Sequence, residues 1–325
     1  MSTDRPILHD IAERAGVSLT AVSMALRDTG RIAPETRERV KTVAAELGYV
    51  RKPRGIALKT GKSNVIGLII SGYEDDGSFT PFADYWMHMI RALSLASNIR
   101  GYAVVLITSS NLHLLKEIAM DGIILADPEG SPGALKRAQA LGIPVVTAFM
   151  DDDRSELLAM DDDYPNFTSK AMRFLAEHGS TRPVLITQNG KVNSSRQAIS
   201  AFRAWCSEHG IEPRIIEVTD PKADLENGFA GLDADGYDGV FSFIGMFPEL
   251  EDHIEAQNAQ RIPPMPVVYY TTGYELRKFH QPTARLVSPI ELLASRGIQL
   301  LLDKMAHKSD APTKVLVKPK LEVLA

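Results

Sequence analysis

The chain opens with three short stretches whose apolar residues recur at helical spacing. From Ile7 to Ala15, Leu8, Ile11, Ala12 and Ala15 fall on one face. Ala15-Gly16-Val17-Ser18 follows, in which Gly16 supplies the positive φ of a tight turn and Ser18 is a good N-cap. Leu19 to Arg27 is a second helical stretch, with Val22, Ala25 and Leu26 facing inward. Pro34 to Leu47 is a third, with Pro34 at its first position, Gly48 as its stop and Val40, Val43, Ala44 and Leu47 as its stripe. Two short helices joined by a three- or four-residue turn predict a helix-turn-helix, and a third helix closes a small core.

After Ser63 the pattern changes. "VIGLII" is a short, β-branched apolar run, as expected of a strand buried on both faces. Similar runs recur at Ala103–Ile107, Gly122–Leu125, Pro144–Thr147, Val184–Thr187, Gly239–Phe243 and Pro266–Tyr270. Helical patterns separate them, at Tyr85–Arg100, Gly133–Leu141, Asn166–His178 and Ala198–His209. Strands alternating with helices predict parallel α/β sheets, and the number of units predicts two lobes with a cleft between them. Ala311–Leu321 reads as a closing strand. The expected organisation is a head-piece over 1–50, a hinge over 51–62 and a two-lobed domain over 63–325.

Charge sharpens this division. Residues 1–62 hold 12 Lys/Arg against 7 Asp/Glu, whereas the remainder holds 24 against 34. A basic head on an acidic body implies that the head alone meets a polyanion. Between Val50 and Lys62 lie Arg51, Lys52, Arg54, Lys59 and Lys62 with no acid, the composition of a solvated basic linker. No apolar run reaches the length of a membrane span, and no signal-peptide core is visible at the N-terminus. Cys206 is the sole cysteine, so no disulfide forms within the chain, and the expected location is the cytoplasm, associated with the nucleoid. Scattered histidines give no zinc spacing, and no metal or cofactor is expected.

The residues Asp10 to Tyr49 carry a specific resemblance. "DIAERAGVSLTAVSMAL" followed by "RIAPETRERVKTVAAELGY" is similar to the head-piece of the LacI family, matching its AGVS, VS, T-R-x-R-V and E-L-G-Y elements in order and spacing. The resemblance implies a DNA-binding transcription regulator, by default a repressor. The second helix would lie in the major groove of double-stranded operator DNA and present Ser18, Leu19, Thr20, Ser23, Met24 and Arg27. The family commonly has Thr at the position of Ala21 and Arg at that of Met24. Methionine cannot donate a hydrogen bond, so the expected readout is apolar from Leu19 and Met24, with one polar contact from Thr20. In the hinge, the resemblance implies that Leu58 wedges into the minor groove while Arg51 and Arg54 meet phosphates. Pro53 lies two positions later than the family's usual proline, and Gly55 weakens helix propensity.

"GYAVVLITSS", "MDGIILA", "LGIPVV" and "FLAEHG" resemble the family's effector domain, a two-lobed α/β periplasmic-binding-protein-like fold. Its usual polar anchors are thinned here. The Asp-Asn pair aligns with Asp163-Tyr164. The Arg of the R-x-x-G-aromatic-R helix aligns with Ala198, two residues after Arg196. Ile244-Gly245 and Thr271 stand where other anchors are expected. The remaining candidates for a small-molecule, sugar-like effector are Tyr73, Phe82, Phe149, Asp163, Arg196, Phe243 and Tyr270. Two readings stay open: an unusual effector held by stacking and Arg196, or a degenerate cleft that answers to a protein partner or to nothing. The chain has no G-x-G-x-x-G after the first strand, no P-loop and no G-x-S-x-G, so no enzyme is expected, and the clusters Asp151–Asp153 and Asp161–Asp163 read as solvated loops. The stretch from Asn111 to Met120 holds only two or three helical turns, shorter than the family's excursion there. No heptad tail follows, so a homodimer on a palindromic operator is expected.

Overall fold

The computed structural model describes residues 6–49, 62–70, 83–126, 128–129, 132–188, 190, 192–219, 221–233, 236–259, 261–271, 281–310 and 312–324. The chain divides into two compact units, Met1–Ser63 and Asn64–Ala325.

In the first unit, α1 (Leu8–Ala15), α2 (Leu19–Ala25) and α3 (Pro34–Glu46) enclose a small apolar core. Ile11, Ala12, Ala15, Val22, Ala25, Val40, Val43 and Ala44 are buried there, with Leu8, Val17, Leu26 and Leu47 packed around them. All but Val17, in the turn, are residues that the helical spacing placed inward.

The second unit holds two six-stranded sheets. The first contains β1 (Val65–Ile70), β2 (Ala103–Thr108), β3 (Gly122–Ala126), β4 (Val145–Ala148), β5 (Ala159–Asp162) and β11 (Lys314–Val317), ordered β11-β5-β4-β3-β1-β2 and parallel throughout. The second contains β6 (Pro183–Gln188), β7 (Arg214–Val218), β8 (Gly239–Ser242), β9 (Val267–Thr271), β10 (Thr283–Val287) and β12 (Lys320–Leu324), ordered β12-β10-β9-β8-β6-β7. Only the β10–β12 pair is antiparallel. The helices are α4 (Ala83–Ile99), α5 (Leu114–Glu117), α6 (Pro132–Ala140), α7 (Tyr164–Glu177), α8 (Asn193–His209), α9 (Pro221–Asp233), α10 (Pro248–Asn258) and α11 (Ile290–Met305).

Among the described residues, the chain crosses between lobes three times: from β5 into α7, from β10 into α11, and from β11 to β12. The expected single closing strand over Ala311–Leu321 is therefore two strands in different sheets, separated by Lys318-Pro319. The crossings are tied together, since the Asp163 amide donates to the Val317 carbonyl at 2.8 Å and Lys170 Nζ donates to the Pro319 carbonyl at 2.6 Å. Asn111–Met120 forms a 3-10 turn, Ser109–Asn111, and the single turn α5.

α11 fits closely beneath the first sheet. A Cβ on Gly297 would stand 1.9 Å from Met160 Sδ, and one on Gly122 would stand 2.9 Å from Leu301 Cδ1. One continuous apolar core runs from this face, through Tyr85, Met89, Met160, Ile298 and Leu301, into the second lobe through Phe167, Phe202, Phe241, Phe243 and Tyr270. Among the described residues, no helix is long and apolar enough to cross a membrane.

Candidate nucleic-acid interface and interlobe site

The head-piece turn is built by local hydrogen bonds. The Ile7 amide donates to Asp10 Oδ2 at 2.7 Å and starts α1. Gly16, at φ 65°, reverses the chain at its end. The Ala21 amide donates to Ser18 Oγ at 3.2 Å, which caps α2 as the sequence predicts. Ser18, Leu19 and Thr20 are thereby left exposed, with half of Leu19's surface open.

The other expected base-reading residues are less free. Arg27 folds back along its own helix: Nε donates to the Ser23 carbonyl at 2.8 Å, and the guanidinium also donates to Ser23 Oγ. Met24 is half-buried, and its thioether lies against Gly30, where a Cβ would be 2.6 Å from Sδ. Gly30 stands at φ 75°, so this close approach requires glycine there. Asp28 braces the same loop by accepting from Lys41 Nζ at 2.8 Å and Arg37 Nη1 at 3.2 Å. The Lys41 hydrogen bond, with Arg37 behind it, lowers the Asp28 carboxyl below its usual value. An exposed leucine and threonine at the start of a helix can offer a methyl contact and a hydroxyl to base edges. Arg51, Arg54 and Leu58 lie outside the described residues, as do Tyr73 and Phe82.

The interlobe site gathers at the C-terminal ends of the strands, where open α/β sheets place their crevice. Phe149 follows β4 at φ 84°, a rare conformation for an aromatic residue. Its ring stacks on Tyr85 at 5.7 Å and meets the edge of Trp86 at 5.2 Å. Tyr85 lies 6.3 Å from Tyr270, which lies 5.7 Å from Phe243 and 5.4 Å from Phe167. Tyr164 meets Phe243 edge-on at 5.4 Å. Phe243 and Tyr270 are buried at 1% and 5% exposure, so in this structure both are core residues. Of the expected effector aromatics, the three described ones, Phe149, Phe243 and Tyr270, are linked through Tyr85 into one cluster packed on itself.

Two carboxylates sit within this aromatic wall. Asp161 and Asp162 end β5 and are fully buried, which overturns their reading as a solvated loop. The error lay in missing β5, whose run is only four residues long. Asp161 accepts from the Met150 amide at 2.9 Å, the Asp162 amide at 2.8 Å and the Tyr164 hydroxyl. Asp162 accepts from the Tyr270 hydroxyl at 2.9 Å and the Ser288 hydroxyl at 2.8 Å. Burial dominates both groups and pushes each carboxyl up to about 7, against the lowering effect of these hydrogen bonds. The same burial, aided by the carboxylates, raises Tyr85, Tyr164 and Tyr270 well above the usual phenol value.

Asp163 and Arg196 are committed elsewhere. Asp163 Oδ1 caps α7 by accepting from the Asn166 amide at 3.2 Å. Arg196, on α8, pairs with Glu129, which follows β3 in the other lobe. Nearby, Asn193 Nδ2 donates to the Met150 carbonyl across the same seam at 2.6 Å. Asp151 is also buried rather than solvated, and caps the turn Asp152–Arg154 by accepting from the Asp153 and Arg154 amides. Sequence reasoning missed Tyr85, Trp86, Asp161, Asp162, Tyr164 and Ser288. Its available signal was an acidic triplet directly after an apolar tetrad, the place where a parallel strand meets its crevice. Among the described residues, no group of three His, Cys, Asp or Glu side chains is placed to hold a metal.

Comparison with known proteins agrees with both units. Residues 7–52 match the family model described as "Bacterial regulatory proteins, lacI family". The maltose regulon regulatory protein MalI of Escherichia coli (strain K12) is 34% identical over 166 residues, which span 47% of this chain and 46% of that protein. The chain thus spans less than half the length of that relative. The transcriptional repressor PurR of Edwardsiella ictaluri (strain 93-146) is 24% identical over 330 residues, covering 97% of this chain and 94% of the repressor. Among solved structures, the lac repressor dimer bound to operator and the anti-inducer ONPF aligns with a TM-score of 0.81 at 17% identity, over 99% of this chain and 100% of that one. A transcriptional regulator CelR–cellobiose complex aligns at a TM-score of 0.64 and 21% identity, over 98% of both chains.

Proposed function

We propose that this chain is a regulator of the lacI family, a sequence-specific repressor that binds a palindromic operator as a homodimer. The observation that carries the reading is the head-piece turn: Ser18 caps α2 and leaves Leu19 and Thr20 exposed on a basic unit. Leu19 offers its methyls to thymine and Thr20 a hydroxyl to a base edge. Phosphate neutralisation by the basic linker supplies the non-specific part of affinity, which falls steeply with salt. The two-lobed body is the sensing and dimerisation domain, and a ligand that changes how the lobes pack changes the spacing of two head-pieces.

The effector reading favoured by the relatives is a sugar or sugar derivative, since one structural neighbour is a complex with cellobiose. A second reading has an observation of its own. Asp162 is engaged by Tyr270 and Ser288, and Arg196 by Glu129, so the polar groups a sugar would use are already paired within the protein.

Selection from a randomised operator library tests the DNA reading. Wild type should enrich one palindrome, and Leu19→Ala with Thr20→Ala should change its bases. Enrichment of no sequence would overturn it. Thermal-shift screening with sugars and sugar acids separates the effector readings: a stabilising sugar that also weakens operator binding supports the first, and none across the panel supports the second.

A further inference from the structure

We propose that Asp162 is a proton-operated latch between the two lobes, so that the ligand sensed at this seam is the hydrogen ion. This rests on the body being the sensing domain of a DNA-binding regulator. The argument begins with the partners. Besides the Tyr164 hydroxyl, Asp161 faces two backbone N–H groups, from Met150 on one carboxyl oxygen and Asp162 on the other, which can only donate. Its satisfied form is therefore the carboxylate. Asp162 faces two hydroxyls, from Tyr270 and Ser288, which can either donate or accept. A protonated Asp162 can donate to one of them and still accept from the other. The proton thus belongs on Asp162 and the charge on Asp161.

Among the described residues, the elements packed on the pair bring it no compensating charge. Of these elements, α4 presents Tyr85, α7 presents Tyr164, β9 presents Tyr270, and the neighbouring carboxyl of Asp163 disfavours a further negative charge on Asp162. Among the described residues, none of the hydrogen-bond or ion-pair partners of Asp161 or Asp162 is a cation. Loss of the Asp162 proton places a second negative charge in a dry, aromatic-walled site beside the first, a costly arrangement.

Relief is geometrically direct. Asp162 belongs to the first lobe, Tyr270 to the second, and Ser288 to the crossing between them. Parting the lobes lets water reach the charge. Lobe packing then depends on pH near neutrality, and the proton acts as a ligand that prefers the closed form.

The experiment follows the full chain by small-angle scattering and by amide hydrogen exchange from about pH 5.5 to about pH 8.5. Wild type should expand, and its seam amides, such as that of Met150, should lose protection with a midpoint close to neutrality. Asp162→Asn, which imitates the protonated form, should stay compact throughout. Tyr270→Phe removes a donor to the ionised form and should move the midpoint to higher pH. A wild type that remains equally compact across the range overturns the latch, as does an Asp162→Asn variant that expands at the wild-type midpoint. Should Asp162→Asn fail to fold, an unmoved midpoint in Tyr270→Phe overturns it equally. Operator affinity is titrated alongside. Opening that leaves operator affinity unchanged overturns the sensing reading while the latch stands.

Discussion

The hydroxyl of Tyr270, near the end of β9 in one lobe, donates to Oδ2 of Asp162, at the end of β5 in the other, at 2.9 Å. Neither residue is more than 5% exposed. The bond joins the two sheets where their crevice would open, and it ties an aromatic expected to stack on a ligand to a carboxylate expected in solvent. Tyr270→Phe should keep the ring contacts with Phe167 and Phe243 and lose the hydroxyl's hydrogen bonds, to Asp162 and to Ser288. The expected cost is about 1–2 kcal/mol, because Asp162 retains Ser288. Urea unfolding at pH 6 checks it, with an unchanged m-value as the sign that packing survived.

The carboxyl pair also sets a pH dependence of stability. Both groups are raised by burial from 3.8 to about 7 in the folded protein. The folded pair therefore holds at least one proton, on Asp162, that the unfolded chain has released between these values, and stability falls as pH rises through that window, levelling above it. The difference in unfolding free energy between wild type and Asp161→Asn/Asp162→Asn should shrink or reverse with rising pH over the same range. Denaturant melts at successive pH values would show this, and a parallel pair of curves would refute it.

Gly297 sets helix propensity against packing. In an exposed helix, Gly→Ala gains up to about 1 kcal/mol. In α11 an added Cβ would stand 1.9 Å from Met160 Sδ, in a fully buried contact. Displacing Met160 should cost more than the helix gains, so Gly297→Ala is expected to destabilise by about 1–3 kcal/mol. Met160→Ala in the same background should recover part of the loss, which thermal melts of the two single variants and the double variant would reveal.

In the head-piece, Gly30→Ala meets two obstacles, a φ of 75° and Met24 Sδ. Melting of the head-piece should shift downward by an amount equivalent to about 1–2 kcal/mol. The companion change, Met24→Ala, should relieve the steric part and leave the backbone part, so the two effects should not add. Additive losses would mean that Met24 is free to face DNA.

Asp238 pins the turn before β6. Its carboxylate accepts from Ser180 Oγ at 2.7 Å, the Thr181 amide at 3.0 Å, Thr181 Oγ1 at 2.8 Å and the Arg182 amide at 2.7 Å. Burial opposes its charge, but these donors win and its carboxyl lies below the usual value. Asp238→Ala should cost about 2–3 kcal/mol above neutral pH, and the cost should shrink as pH falls into the carboxylate range.

The amino-acid sequence by itself determined the head-piece and the alternation of the body. Ile11, Val22, Val40 and their neighbours recur at helical spacing because a helix must bury one face. Runs such as Val65–Ile70 are apolar throughout because a parallel strand is covered on both sides. The cap at Ser18 and the reversal at Gly16 were equally legible, since each depends on residues within a few positions of itself. The tertiary structure decided everything that depends on distant partners. Asp162 is a latch residue only because β9 brings Tyr270 and the β10–α11 crossing brings Ser288 against it, 108 and 126 positions away. Arg196 is an interlobe tie only because Glu129 stands opposite. Met24 turns onto Gly30 because the loop after α2 folds back, which helical spacing does not encode. Local periodicity reports which face is inward. It does not report which inward groups will share one dry site, and the chemistry of this body lies in that sharing.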